Sequence, residues 1–141
     1  MRRARGAQSG IALLEALLAA VILAIGLLGT IGLQARAYSA LSDAGLRAEA
    51  TIAADKLLGV MNTDLANLAD YQVAASALPS TRLAPWHTET RRLIPGATIT
   101  IAVTVATPGA PAMVDIAISW RRTSDLPLNT HRITSYFAGS T

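Results

Sequence analysis

Residues 11–33 form an unbroken apolar run in which Glu15 is the only charged side chain and Thr30 the only other polar one. At about 1.5 Å per residue, a helix of this length reaches roughly 35 Å, enough to cross a bilayer core of about 30 Å. An ionisable group inside such a segment is costly and by default marks a function with a partner. Glu15 also lies about one turn from the end of the run, from where a carboxylate can reach the headgroup layer. On the run alone, both readings are open.

What precedes the run narrows the choice. Arg2, Arg3 and Arg5 place three positive charges before it, with no acid among them. By the positive-inside rule this end stays in the cytoplasm and Leu33 emerges on the far side. An ordinary secretory signal has an apolar core of about 7–15 residues followed by a small-residue cleavage site, which Ala35-Arg36-Ala37 could imitate. The run is too long for that core and carries Glu15 inside it. An uncut anchor, or a cut before the run, remains.

The segment Gly10-Ile11-Ala12-Leu13-Leu14-Glu15 resembles the processing site of type IV prepilins: a short basic leader ending in glycine, a hydrophobic residue, and glutamate fifth in the mature chain. The resemblance extends through Ala16 to Gly29. It is closest to minor pilins of the pilus-modification (PilV-like) type, whose similar run continues into a segment like Gly32-Leu33-Gln34-Ala35-Arg36. Ile11 and Ala12 replace the more usual phenylalanine and threonine. The proline common in major pilins is absent, and Gly26, Gly29 and Gly32 stand in that region.

The resemblance implies that residues 1–10 are a leader, that a membrane prepilin peptidase cuts between Gly10 and Ile11, and that the new amine of Ile11 is methylated. It implies an inner-membrane single-pass precursor with a cytoplasmic N-terminus and a periplasmic head. That precursor would later join a pilus at the cell surface together with other minor pilins and the major pilin. A minor pseudopilin of type II secretion has the same leader and fold and is the alternative.

Cleavage would change the electrostatics. The chain has 12 basic and 9 acidic side chains; removing the three leader arginines leaves 9 and 9, so the net charge of +3 comes from the leader. Glu15 lies four residues after Ile11, so pairing with the new amine is sterically possible within one helix. Between subunits the same pair would set the axial register, because an unpaired buried carboxylate costs several kcal/mol. The resemblance implies the intersubunit role, while the residues alone allow either geometry. Ala12, Ala16, Ala20 and Ala24 make a small-residue stripe that lets helices approach closely, or are helix filler. Gly26, Gly29 and Gly32 each cost about 1 kcal/mol of helix propensity and mark either a bend or a packing surface.

Beyond the run, residues 34–70 contain no proline, and their apolar positions are spaced as in a helix. Leu41, Ala44, Ala48 and Ile52 line one face, continued with drift by Leu58, Met61, Leu65 and Leu68. An amphipathic continuation of the membrane helix is therefore expected over 34–70. Residues 71–92, with Pro79, Pro85 and Trp86, read as a connecting loop with room for a short edge strand. The period then changes to two. Ile99, Ile101, Val103 and Val105 make one strand, Val114, Ile116, Ile118 and Trp120 a second, and residues 131–137 a third, with turns at 107–111 and 124–129. The expected fold class is α+β, type IV pilin-like: a long N-terminal helix packed on a small antiparallel sheet of three to four strands, with residues 71–141 as the head. Such a head has a thin core and depends on helix-on-sheet packing or on neighbouring subunits.

The chain has no cysteine, so its C-terminus is held by some means other than the disulfide many pilins use. The only histidines, His87 and His131, match no zinc spacing, and no nucleophile elbow or phosphate loop occurs. No enzyme activity, cofactor or metal site is expected. Arg91, Arg92, Arg121, Arg122 and Arg132 could gather on the outer face of the sheet as a basic patch. The near-zero net charge of the mature chain and its few aromatic residues argue against a nucleic-acid partner. The expected partners are the prepilin peptidase, membrane lipid before assembly, and other pilin subunits.

Overall fold

No proline interrupts residues 9–62, and alanine and leucine dominate them, so local propensity favours a continuous helix. In the computed structural model, which describes residues 9–105 and 110–138, α1 runs over Ser9–Asn62 without interruption at Gly26, Gly29 or Gly32. The leader arginines Arg2, Arg3 and Arg5 and the turn residues Thr107, Pro108 and Gly109 lie outside the described residues. The chain divides into two units, Met1–Asp43 and Ala44–Thr141. Among the described residues, the first unit is helical throughout, and the second contains the folded head.

α1 ends at Asn62, short of the expected residue 70. The Thr63 hydroxyl donates to the Val60 carbonyl at 2.8 Å, and the Asp64 N–H bonds back to Met61 at 3.0 Å. Asp64 itself leaves helical geometry, at φ −136° and ψ 43°. Its carboxylate then accepts hydrogen bonds from Asn67 Nδ2 at 2.6 Å, from the Tyr71 hydroxyl at 2.8 Å and from Arg82 at 2.7 Å. These bonds redirect the chain into a short 3₁₀ segment, Leu65–Tyr71, which buries Leu68 and Tyr71. Hydrophobic spacing could not reveal this stop, because polar contacts made over 18 residues create it.

The expected loop over 71–92 contains a second helix. α2 spans Ala84–Leu93. Pro85 falls in its first turn, where a missing N–H costs nothing and the fixed φ favours the helix. Ser80 organises the start: its carbonyl accepts the Ala84 N–H at 2.8 Å and its hydroxyl accepts the Leu83 N–H at 3.2 Å. Trp86 and Thr90, one turn apart, are buried on its inner face. Trp86 donates from Nε1 to the Ala53 carbonyl of α1 at 2.8 Å.

The three strands are β1 (Thr98–Val105), β2 (Ala112–Trp120) and β3 (Asn129–Phe137), antiparallel and ordered β1-β2-β3. Ile101 pairs with Ile116 and Ile116 with Ile133, so the alternating apolar residues share one face. The suggested edge strand amounts to a single bridge between Val73 and Ile101, whose two backbone bonds measure 3.0 and 2.8 Å. Among the described residues the sheet therefore has three strands.

The core joins Val114, Ile116, Ile118 and Trp120 of β2 and Ile99 and Ile101 of β1 to Ala50, Ala53, Ala54, Leu57 and Met61 of α1. The expected face holds only in its second half: Met61 and Leu68 are buried and Leu58 and Leu65 pack against the core, whereas Leu41, Ala44, Ala48 and Ile52 are exposed. Leu41 is 70% exposed and Ile52 60% exposed, while three alanines are buried. Alanine lets the helix backbone come close to a sheet that already supplies large side chains, so small residues occupy the contact and larger ones remain outside. Leu57→Ala should cost about 2–5 kcal/mol. Ile52→Ala, despite its similar truncation, should stay within about 0.5 kcal/mol. Urea unfolding followed by tryptophan fluorescence would separate the two, and equal losses would contradict this assignment of the buried face.

Candidate functional site

The large apolar side chains of residues 11–33 are between 54% and 69% exposed, so the chain itself covers none of them. By length and composition this helix is capable of crossing a membrane. Thr30 is satisfied locally, its hydroxyl donating to the Leu27 carbonyl at 2.8 Å. It adds little penalty in an apolar medium. Glu15 differs: among the described residues it makes no hydrogen bond and no ion pair.

Gly10, Ile11 and Glu15 all lie within α1. Gly10 and Ile11 lie at the start of its described part, and Glu15 stands one turn beyond Ile11 on the same side of the helix, exposed.

The small residues tell the same story. Ala12, Ala16, Ala20 and Ala24 are exposed. A Cβ placed on Gly26, Gly29 or Gly32 meets nothing within 4 Å. The fold of this chain does not require glycine there, so any requirement comes from bending or from a neighbour.

In the head, the arginines that could have gathered as a basic patch are spread over different elements. Arg91 and Arg92 sit in the last turn of α2, Arg121 and Arg122 follow β2, and Arg132 lies on β3. Arg132 is neutralised by Asp115, which it contacts at 3.0 Å, and Thr134 donates to the same carboxylate at 2.8 Å. Lys56 pairs with Glu89 at 2.6 Å, and Arg82 with Asp64 at 2.7 Å. His87 lies on α2 and His131 on β3, and among the described residues no group of three His, Cys, Asp or Glu could hold a metal ion. The reading of residues 71–92 as a loop concealed one arrangement: His87 and Arg91 are four apart on a helix and line one pocket. Pro85 at a helix start was the signal that could have exposed it.

No protein-family model, curated protein or solved structure matches this chain.

Three carboxylates of the head are held below their ordinary values. Hydrogen bonds from Asn67 and Tyr71 lower Asp64, one from Lys56 lowers Glu89, and one from Arg132 lowers Asp115. For a depressed carboxylate, stability is full above the unfolded value and is lost as pH falls through the folded one. His87 is held below its ordinary value by burial and by Arg91, so the urea midpoint should begin to fall as pH drops through the ordinary histidine value of about 6.5, and the three carboxylates should add a second, acid limb below about pH 4.5. Asp64→Asn should flatten the acid limb, and an unchanged limb would count against the Asp64 cluster.

Proposed function

We propose that this chain is a minor subunit of a type IV pilus, made as an inner-membrane precursor and processed by a prepilin peptidase between Gly10 and Ile11. One observation carries the reading. Residues 11–33 are apolar on every side and uncovered by the rest of the chain, and their only unsatisfied polar group is Glu15, one turn after a Gly10–Ile11 junction. A simple anchor needs the apolar length but has no use for the carboxylate. A subunit that leaves lipid to pack among like helices needs both.

In the precursor, Arg2, Arg3 and Arg5 hold the N-terminus in the cytoplasm and the head lies on the far side. Cleavage removes those charges and leaves a methylated amine on Ile11. Glu15 then pairs with such an amine on an adjacent subunit and sets the axial register, because a misregistered subunit leaves a buried charge alone, at about 3–5 kcal/mol. The exposed alanines and glycines of the helix give neighbours room to approach. The head has no catalytic role on this reading, and its partners are other minor pilins and the major pilin in the complex that starts the filament.

The decisive measurement is the intact mass of the protein from membranes of cells with and without the prepilin peptidase. A peptidase-dependent chain beginning at Ile11 and carrying one extra methyl group is expected. An uncut chain would reduce the protein to a single-span anchor, and a start near Ser39 would make it a secreted head. Glu15→Leu should insert and be cut normally yet be missing from sheared filaments; its normal incorporation would exclude the register role.

A further inference from the structure

Gly96 adopts φ +73°, a left-handed conformation that favours glycine, and turns the chain sharply after α2. The Ala97 N–H bonds back to the Ile94 carbonyl at 3.1 Å, which sets the start of β1 beside the last turn of α2. Residues 75–79 form the other side. Together they line an open surface pocket of about 230 Å³ that His87 and Arg91 share, with most of its wall exposed. Ser76 and Thr98 add hydroxyl-bearing residues to its wall.

The charge in this pocket is uncompensated. Arg91 makes no hydrogen bond or ion pair among the described residues, and no carboxylate lines the wall. The nearest acid along the helix, Glu89, is engaged by Lys56 at 2.6 Å. The His87 ring likewise makes no side-chain hydrogen bond. A guanidinium and an imidazole four residues apart thus present donors to one small, polar-walled space. That space is below the roughly 300–1,000 Å³ of clefts that take drug-sized molecules.

We propose that this pocket binds a small oxyanion, a carboxylate or a phosphate, held by the Arg91 guanidinium and by His87. The guanidinium fork matches two oxygens of either group. The inference rests on the head alone and is independent of the filament reading. Binding is linked to protonation: burial and the charge of Arg91 hold His87 below its ordinary value, and an anion offsets both effects. Arg91 is the only other charged group facing His87, since residues 75–79 and 96–99 contribute none. The complex therefore takes up a proton and tightens as the solution becomes mildly acidic.

The test uses the full chain in detergent, with amide and imidazole NMR signals followed during titration with inorganic phosphate and, separately, with glucuronate. The expected result is saturable movement of the Ser76, Leu78 and Gly96 amides with either anion, at a millimolar dissociation constant. The His87 titration midpoint should rise at the same time. Arg91→Gln should weaken binding by about tenfold or more, the loss expected for a charged hydrogen bond, and Arg92→Gln should leave it unchanged. His87→Gln, read by the same amides with glucuronate, whose carboxylate does not titrate near neutrality, should remove the pH dependence and retain the Arg91 contact. Response to phosphate alone would identify a phosphate site, and response to glucuronate alone a carboxylate site. No saturable response to either anion, or equal loss in both arginine variants, would overturn the proposal.

Discussion

One helix presents two different surfaces, apolar on all sides over residues 11–33 and one-sided where it meets the sheet, and the head is built on the second. Over residues 11–33, α1 is apolar around its whole circumference, which suits lipid or a bundle of like helices and leaves water nothing to bond. From Ala50 to Met61 the same helix is one-sided. It buries a narrow stripe of alanines with Leu57 and Met61, and leaves Asp55, Lys56 and Ile52 outside. The second part can be narrow because the sheet supplies the bulk: Ile99, Ile101, Ile116, Ile118 and Trp120 are large and almost fully buried. A bulkier helix face would have displaced the sheet and loosened a core of only 20 buried apolar residues.

Magnitudes decide what holds α2 in place. Lys56–Glu89 and Arg82–Asp64 are solvent-screened surface pairs that contribute little on their own. Trp86 contributes more. It is buried, and its Nε1–H, which would be costly to leave alone, is matched by the Ala53 carbonyl. The same contact occupies an alanine position on α1, so packing and hydrogen bonding act at one point. The ion pairs orient the neighbouring segments and, with His87, give the head its sensitivity to acid.

The apolar segment follows the opposite logic. Among the described residues Glu15 makes no polar contact, and a Cβ on Gly26, Gly29 or Gly32 meets nothing within 4 Å. Nothing in the described chain accounts for these residues, which is why the proposed function looks to neighbouring helices for their role. The head is more self-sufficient: its core and several ion pairs close within it, and the pocket lined by His87 and Arg91 lies against the end of α2.

Local chemistry determined what could be read in the residue order. The membrane-length helix was legible because it needs only composition and length. The strands were legible because alternation such as Ile99-Thr100-Ile101 leaves one buried face whatever the partner. Tertiary structure decided the rest. The stop at Asn62 depends on Asp64 gathering Asn67, Tyr71 and Arg82 from distant positions. The first half of the expected face of α1 was misread because hydrophobicity ranks Leu41 and Ile52 above alanine, whereas close approach to a sheet of large side chains selects alanine. α2 was missed because it carries few apolar residues and because Pro79 ahead of it and Pro85 in its first turn read as loop signals, while its stability comes from Trp86 docking on Ala53. The His87–Arg91 pocket follows from that missed helix: two residues read as loop become neighbours only once the chain coils and Gly96 turns β1 back beside them.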